Sequence, residues 1–144
     1  MVSLTAEPIA ERFRKTRGDH ARETAADYAE LIADLLDHHG EARVVDLAER
    51  LGTSHVTVVR TVQRLARDGY VASRPYRGIF LTAAGRELAE ASRARHRIVR
   101  DALVALGVRP HTAEQDAEGM EHHVSPETLM ALRTLVQRSE GGRP

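Results

Sequence analysis

Apolar residues first recur at helical spacing between Thr24 and Gly40, where Tyr28, Leu31, Ile32, Leu35 and Leu36 fall on one side of a 3.6-residue repeat. That pattern predicts a helix. Before it, residues 1–23 mix charged and small side chains around Pro8 and Gly18, which predicts a mobile arm or a frayed helix. A short helix over Val44 to Leu51 stops at Gly52, a residue able to take the left-handed conformation that ends helices. The turn "GTS" leads to Ser54, placed to cap a helix that carries Val58, Val59, Val62 and Leu65 on to Gly69. Two β-leaning runs, Tyr70 to Arg74 and Gly78 to Leu81, flank the turn "RPYRG" and predict a hairpin. Thr82 can then cap a long helix from Ala83 to about Leu106, stopped by Gly107. Pro110 and a capping box of Thr112 with Gln115 predict a further helix that carries Glu118, Glu121 and His122. Ser125 followed by Pro126 predicts a last one reaching about Gln137, with residues 139–144 as a solvated tail.

Helix, short helix, tight turn, helix and hairpin form a winged helix-turn-helix, whose last helix enters the DNA major groove. The expected fold is mainly α with a small β-hairpin wing, and divides into a winged helix-turn-helix over residues 24–82 and a helical part over 83–138. At 144 residues the chain can bury one good core plus an accessory element. No apolar run approaches the roughly 18 residues that span a bilayer, and the N-terminus lacks the apolar stretch of a secretory signal, so a cytoplasmic protein is expected.

Charge changes this picture only through its distribution. Acids and bases number 21 each, but between Arg50 and Arg77 six arginines face the single acid Asp68, a bias suited to a polyanion. On the cap and early turns of the recognition helix, His55, Thr57, Arg60 and Thr61 can face base edges, while Ser54 and Arg64 suit phosphates. Arg74, Tyr76 and Arg77 of the wing would grip backbone or minor groove. A solvated basic face is the competing reading.

The segment from Glu114 to Glu127 is the opposite: five acids, no lysine or arginine, and the run "EGMEHH". Glu118, Glu121 and His122 stand at i, i+3 and i+4, within an arc of about 100° on one helical face. His123 and Asp116 point away. Alone, such residues fit an ordinary acidic surface. Asp27 and Glu30, also at i and i+3, flank the apolar stripe of the first helix, and His96 lies in line with Leu88, Ser92, Val99 and Leu103 on the long helix. Salt bridges to arginines and a hydrogen-bonded core histidine would account for these singly. Together, three helices offer Asp27, Glu30, His96, Glu118, Glu121 and His122. Four carboxylates in one seam would repel unless about two divalent cations neutralised them, which suggests a binuclear site. The chain has no cysteine, and oxygen ligands with a minority of imidazole favour manganese-like or ferrous ions over zinc or copper.

"DYAELI", "VVDLAERLGTSHVTVVRTVQRLARDGY", "YRGIFLTAAG", "ARHRIV" and "DAEGMEHHVS", in this order, resemble the manganese transport regulators, the short manganese-sensing branch of the DtxR family of metal-dependent repressors. The resemblance covers about residues 24–138. It implies a homodimer that binds a palindromic double-stranded DNA operator and represses manganese uptake genes. It also makes 83–138 a dimerisation and metal-binding domain, with a binuclear Mn2+ site on the same six residues. Iron-sensing relatives carry a cysteine or methionine where this chain has Glu118 and Asp27, so the resemblance leans toward manganese, with Fe2+ as the alternative. A di-metal carboxylate enzyme would need a Glu-x-x-His motif on each of two helices, which is absent. A metal-independent winged-helix regulator remains the other rival. Nothing in the sequence assigns a role to His123, His38, His39 or His111.

Overall fold

The computed structural model describes residues 6–142 apart from 75–77, and leaves aside the side chains of residues 6–9, 15, 16 and 19. Six helices and one hairpin follow each other: α1 (Ala6–His39), α2 (Val44–Leu51), α3 (His55–Arg67), β1 (Val71–Arg74), β2 (Gly78–Leu81), α4 (Ala83–Ala105), α5 (Pro110–Met120) and α6 (Pro126–Gly141). The architecture is a winged helix-turn-helix joined to a helical part.

Two boundaries differ from expectation for the same reason. The stretch expected as a mobile arm or a frayed helix is helical from Ala6 and continuous with the next, making α1 34 residues long. Pro8 lies in its first turn, where no intrahelical donor is lost, and alanine, arginine and glutamate favour the helix enough to carry it through Gly18. Likewise α6 runs on to Gly141 through residues expected as tail. At α5 the capping box goes unused. Pro110 takes the first helical position after Arg109, so Thr112 is already inside the helix. That helix also ends early, at Met120. Glu121 keeps αR geometry as its terminal residue, and the His123 amide donates to the Met120 carbonyl at 3.1 Å, so His122 sits in a turn.

Three of the caps read from the sequence are made. Ser54, Thr82 and Ser125 each accept from the amide three residues on. The first core gathers Tyr28, Ile32 and Leu35 of α1 with Leu47, Val58, Val62 and Leu65 of the helix-turn-helix and Val71 and Ile79 of the hairpin. Ile32, Leu47 and Val58 are fully enclosed, each stabilising by about 1.5–3 kcal/mol. A second seam is made of small residues: Ala29 and Ala33 of α1 meet Ala89 of α4. Arg93 of α4 also pairs with Asp34 of α1. The helix α1 therefore serves both halves, through adjacent faces.

The hairpin pairs antiparallel from Val71 opposite Leu81 to Arg74 opposite Gly78. Its second strand is pinned to the α1–α2 connection, where the Ile79 amide donates to the Ala42 carbonyl at 2.8 Å. Gly78, at φ +83°, permits that approach, since a Cβ there would lie 2.8 Å from the same carbonyl oxygen.

Candidate metal centre and nucleic-acid interface

Four elements converge where α1 crosses the helical part. Asp27 and Glu30 come from α1, His96 from α4, Glu118 from the end of α5, and Glu121 and His122 from the turn into α6. The Ser125 cap fixes that turn by closing the first turn of α6. Glu121 is the hub. Its Oε1 lies 3.3 Å from His122 Nε2, and its Oε2 lies 3.7 Å from His96 Nδ1. His122 Nε2 is also 3.3 Å from Asp27 Oδ1.

The metal-capable atoms fall into two groups, Glu23 with Asp27 and His122, and His96 with Glu118 and Glu121. Within each group, one atom per residue lies within 4.8 Å of the others. Glu30 stands between them, close enough to both Asp27 and Glu118 for their charges to act on it. All six residues expected from the sequence are thus gathered here.

The electrostatics test whether cations suit this place. Glu121 is only 2% exposed, and burial pushes its carboxyl up to about 7; His122 opposes that rise while Glu30 adds to it. Burial also raises the Glu30 carboxyl, countered by the adjacent Ser92 hydroxyl and reinforced by Glu118 and Asp27. The hydrogen bond to Asp27 raises the His122 imidazole against its burial. Glu30 Oε1 and Glu121 Oε2 are enclosed and accept no hydrogen bond. Buried acceptors without donors are costly, and a divalent cation is the chemical partner this donor set lacks. The residues present fit such an ion.

Two neighbours went unread in the sequence. Glu23 was assigned to the arm, although its spacing of four from Asp27 was the available signal. Glu114 Oε1 sits 2.6 Å from His96 Nε2, which keeps its carboxyl below the usual range, and Arg100 lies 3.5 Å from its other oxygen. Spacing from Glu118, one helical turn, was again the signal. His123 is 3.7 Å from Glu23, and His38 Nδ1 faces the Asp34 carbonyl at 2.8 Å. His39 and His111 are exposed and belong to neither group.

The recognition helix presents a divided face. Val58, Thr61, Val62 and Leu65 turn inward, while His55, Thr57, Arg60 and Arg64 turn out. Thr61 corrects the reading above. It is 9% exposed and its hydroxyl donates to the Thr57 carbonyl at 2.9 Å, so it belongs to the helix rather than to a base edge. The Ser54 hydroxyl is engaged with Thr57. Val56 and Val59, 59% and 40% exposed, are apolar side chains on the outward face that the sequence reading had not placed there. Such groups can contact thymine methyls. Arg74 is exposed at the end of β1; Tyr76 and Arg77 lie outside the described residues.

Two family models match the chain in comparison with known proteins. Residues 20–79 match the family model for the iron-dependent repressor N-terminal DNA-binding domain, and residues 82–140 that for the iron-dependent repressor metal-binding and dimerisation domain. The chain is 52% identical to the transcriptional regulator MntR of Escherichia coli O6:H1 over 94% of its own length and 87% of that protein's. It is 50% identical to MntR of Salmonella typhimurium, covering 94% and 86%. Among solved structures, a manganese-dependent transcriptional repressor in complex with manganese shares 30% identity at a TM-score of 0.65, over 78% of this chain and 52% of that one. The manganese regulator SloR shows the same fold, at 24% identity and a TM-score of 0.68, over 78% and 53%. The chain spans about half the length of these two solved structures. No described helix is long and apolar enough to cross a membrane.

Proposed function

The chain belongs to the iron-dependent repressor (DtxR) family, in the MntR group of transcriptional regulators, which are not enzymes, and from that premise we propose a manganese-responsive repressor that acts in the cytoplasm on manganese uptake genes. Asp27, Glu30, His96, Glu118, Glu121 and His122 would hold two ions per subunit. The observation that carries this is Glu121, a buried carboxylate whose two oxygens face two separate ligand groups and of which one accepts no hydrogen bond.

Bound divalent cations would supply the positive charge that keeps these enclosed carboxylates ionised. The rest follows from where the side chains are attached. Asp27 and His122 join α1 to the α5–α6 turn; His96, Glu118 and Glu121 join α4 to α5 and that turn; Glu30 lies between. With these ties closed, α1 is held against the helical part, and with it the α3 that shares its core. A homodimer reads a palindrome when its two recognition helices meet successive major grooves, roughly 34 Å apart. Holding α1 narrows the sampled spacings. The coupling is reciprocal, so operator DNA should raise metal affinity in turn.

On the DNA side, His55, Thr57 and Arg60 would read base edges, with Ser54, Arg64 and Arg74 near phosphates and Tyr76 and Arg77 in the wing. Manganese is favoured over softer ions by the oxygen-rich, thiolate-free set. Ferrous iron would use the same residues, and anaerobic operator titrations with each ion separate the two. The central test is Glu118→Ala, an exposed side chain whose loss leaves the core intact. Manganese-stimulated operator binding, read by fluorescence anisotropy, should be abolished while the dimer persists in size-exclusion chromatography. Wild-type stimulation in that variant would refute the site.

A further inference from the structure

Glu23 has no place in the six-residue set, yet it is nearer to it than chance on a long helix requires. It stands four residues before Asp27, so the two carboxylates stack on one face of α1. An oxygen of each and a nitrogen of His122 lie within 4.8 Å of one another. Ligands held at about 2.1 Å by a hard divalent ion are separated by about 3–4.2 Å, so closing this triangle on one cation takes a shift of well under 1 Å in the longest side. His122 is almost wholly enclosed, its side chain 3% exposed, whereas that of Glu23 is 29% exposed.

The surroundings point the same way. Glu23 lines a cavity of about 410 Å³ whose wall also includes Glu121, His122 and His123, together with Arg22 and Arg95. Its other neighbour, His123 Nε2, is 3.7 Å away and 56% exposed, beyond hydrogen-bond reach and open to water.

We propose that Glu23 is a seventh ligand, given by the early turns of α1 to the ion between Asp27 and His122 and not to its companion. The proposal rests on the binuclear reading and deepens it by giving Glu23 to one of the two positions. With Glu23 the site carries five carboxylates against two divalent ions, one formal charge in excess. Glu23 would give the ion at Asp27 and His122 a second carboxylate, as Glu118 and Glu121 give two to its companion, a set suited to a hard, oxygen-preferring cation.

The test uses the full-length dimer after chelation, titrated with manganese and followed by calorimetry and by the electron paramagnetic resonance of free Mn2+. Glu23→Gln and Glu23→Ala should each weaken one of two binding steps by at least about tenfold, the loss that removing even an outlying partner of a metal ligand brings. The other step should stay within about twofold. His96→Ala should weaken the complementary step. If both Glu23 isotherms superimpose on wild type while Asp27→Ala loses a step, Glu23 is not a ligand and the six-residue site stands. If Asp27→Ala and His96→Ala are silent as well, the binuclear reading falls and this proposal with it. His123→Ala should leave both steps unchanged; the same tenfold loss there would mean that Glu23 acts by holding His123, which overturns ligation.

Discussion

The two halves of the molecule are built from different material. The winged helix closes on large aliphatic side chains, with Ile32, Leu47, Val58 and Leu65 enclosed in one cluster. The helical half buries Ala89, Ser92, Val99, Ala102, Ala113 and Ala117, and no described residue of α6 is buried at all. Both halves leave apolar side chains in solvent, Leu106 and Met130 in the helical half and Val45 and Val56 in the winged helix. Apolar burial scales with area, so each enclosed side chain contributes more in the first half than in the second. The weaker half is also where enclosed carboxylates lack donors. A bound cation would therefore add more to this half than to the other, which is the property a sensor requires.

The contrast breaks most directly at Leu47. Leu47→Ala should cost about 2–5 kcal/mol in denaturant unfolding, equally with and without metal. A loss that manganese restores would put Leu47 in the sensing half and undo the distinction. Next in size is metal itself. Manganese at about 100 times its Kd should stabilise by about 2.7 kcal/mol. Hydrogen exchange should then slow in α5 and the α5–α6 turn and stay unchanged in α2 and the inner face of α3.

Acidity sharpens the same comparison. The Glu121 carboxyl is raised from 4.5 to about 7 in the folded chain, so between these values the folded state binds more protons than the unfolded one. The contribution of Glu121 to metal-free stability is therefore fully present below about pH 4.5 and is lost as pH rises through about 7. The raised His122 imidazole works in the same direction. An apo melting temperature that instead climbs across this window would show that Glu121 is not enclosed. Smallest are two matched caps. Ser54 and Ser125 make the same pair of bonds, to the amide and the hydroxyl of a threonine three residues on. Alanine at either should cost about 1 kcal/mol, but only Ser125→Ala should also weaken manganese binding, because it loosens the turn that holds Glu121 and His122.

What the sequence made legible follows from the range of the interactions involved. The caps at Ser54, Thr82 and Ser125, the glycine terminators and the inward stripe of α1 are local, set within a turn or two, and they appear where the pattern put them. The six clustered side chains were readable because their chemistry is unusual in number, even though Glu121 and His122 lie beyond the helix expected to carry them. Glu23 and Glu114 were not, since each needs the packing of α1 or α4 against α5 and its turn before its neighbour is defined. Thr61 failed differently. Its hydroxyl can bond back to Thr57 along the helix, and threonine is small enough to face either water or core. The length of α1 was missed because Pro8 and Gly18 were weighed as breakers, whereas one sits in the first turn and the other costs only about 1 kcal/mol.

On α1, Asp27 and Glu30 alternate with Tyr28 and Ile32 inside little more than one turn. Whatever fixes the carboxylates therefore fixes these core residues through the rigidity of the helix, over a few ångströms of the same rod. No chain of intermediary contacts is needed between the chemical stimulus and the reading head, and none is open to rewiring. A regulator built this way can change what it senses, or which operator it reads, by surface substitution. It cannot disconnect the two without breaking its first helix.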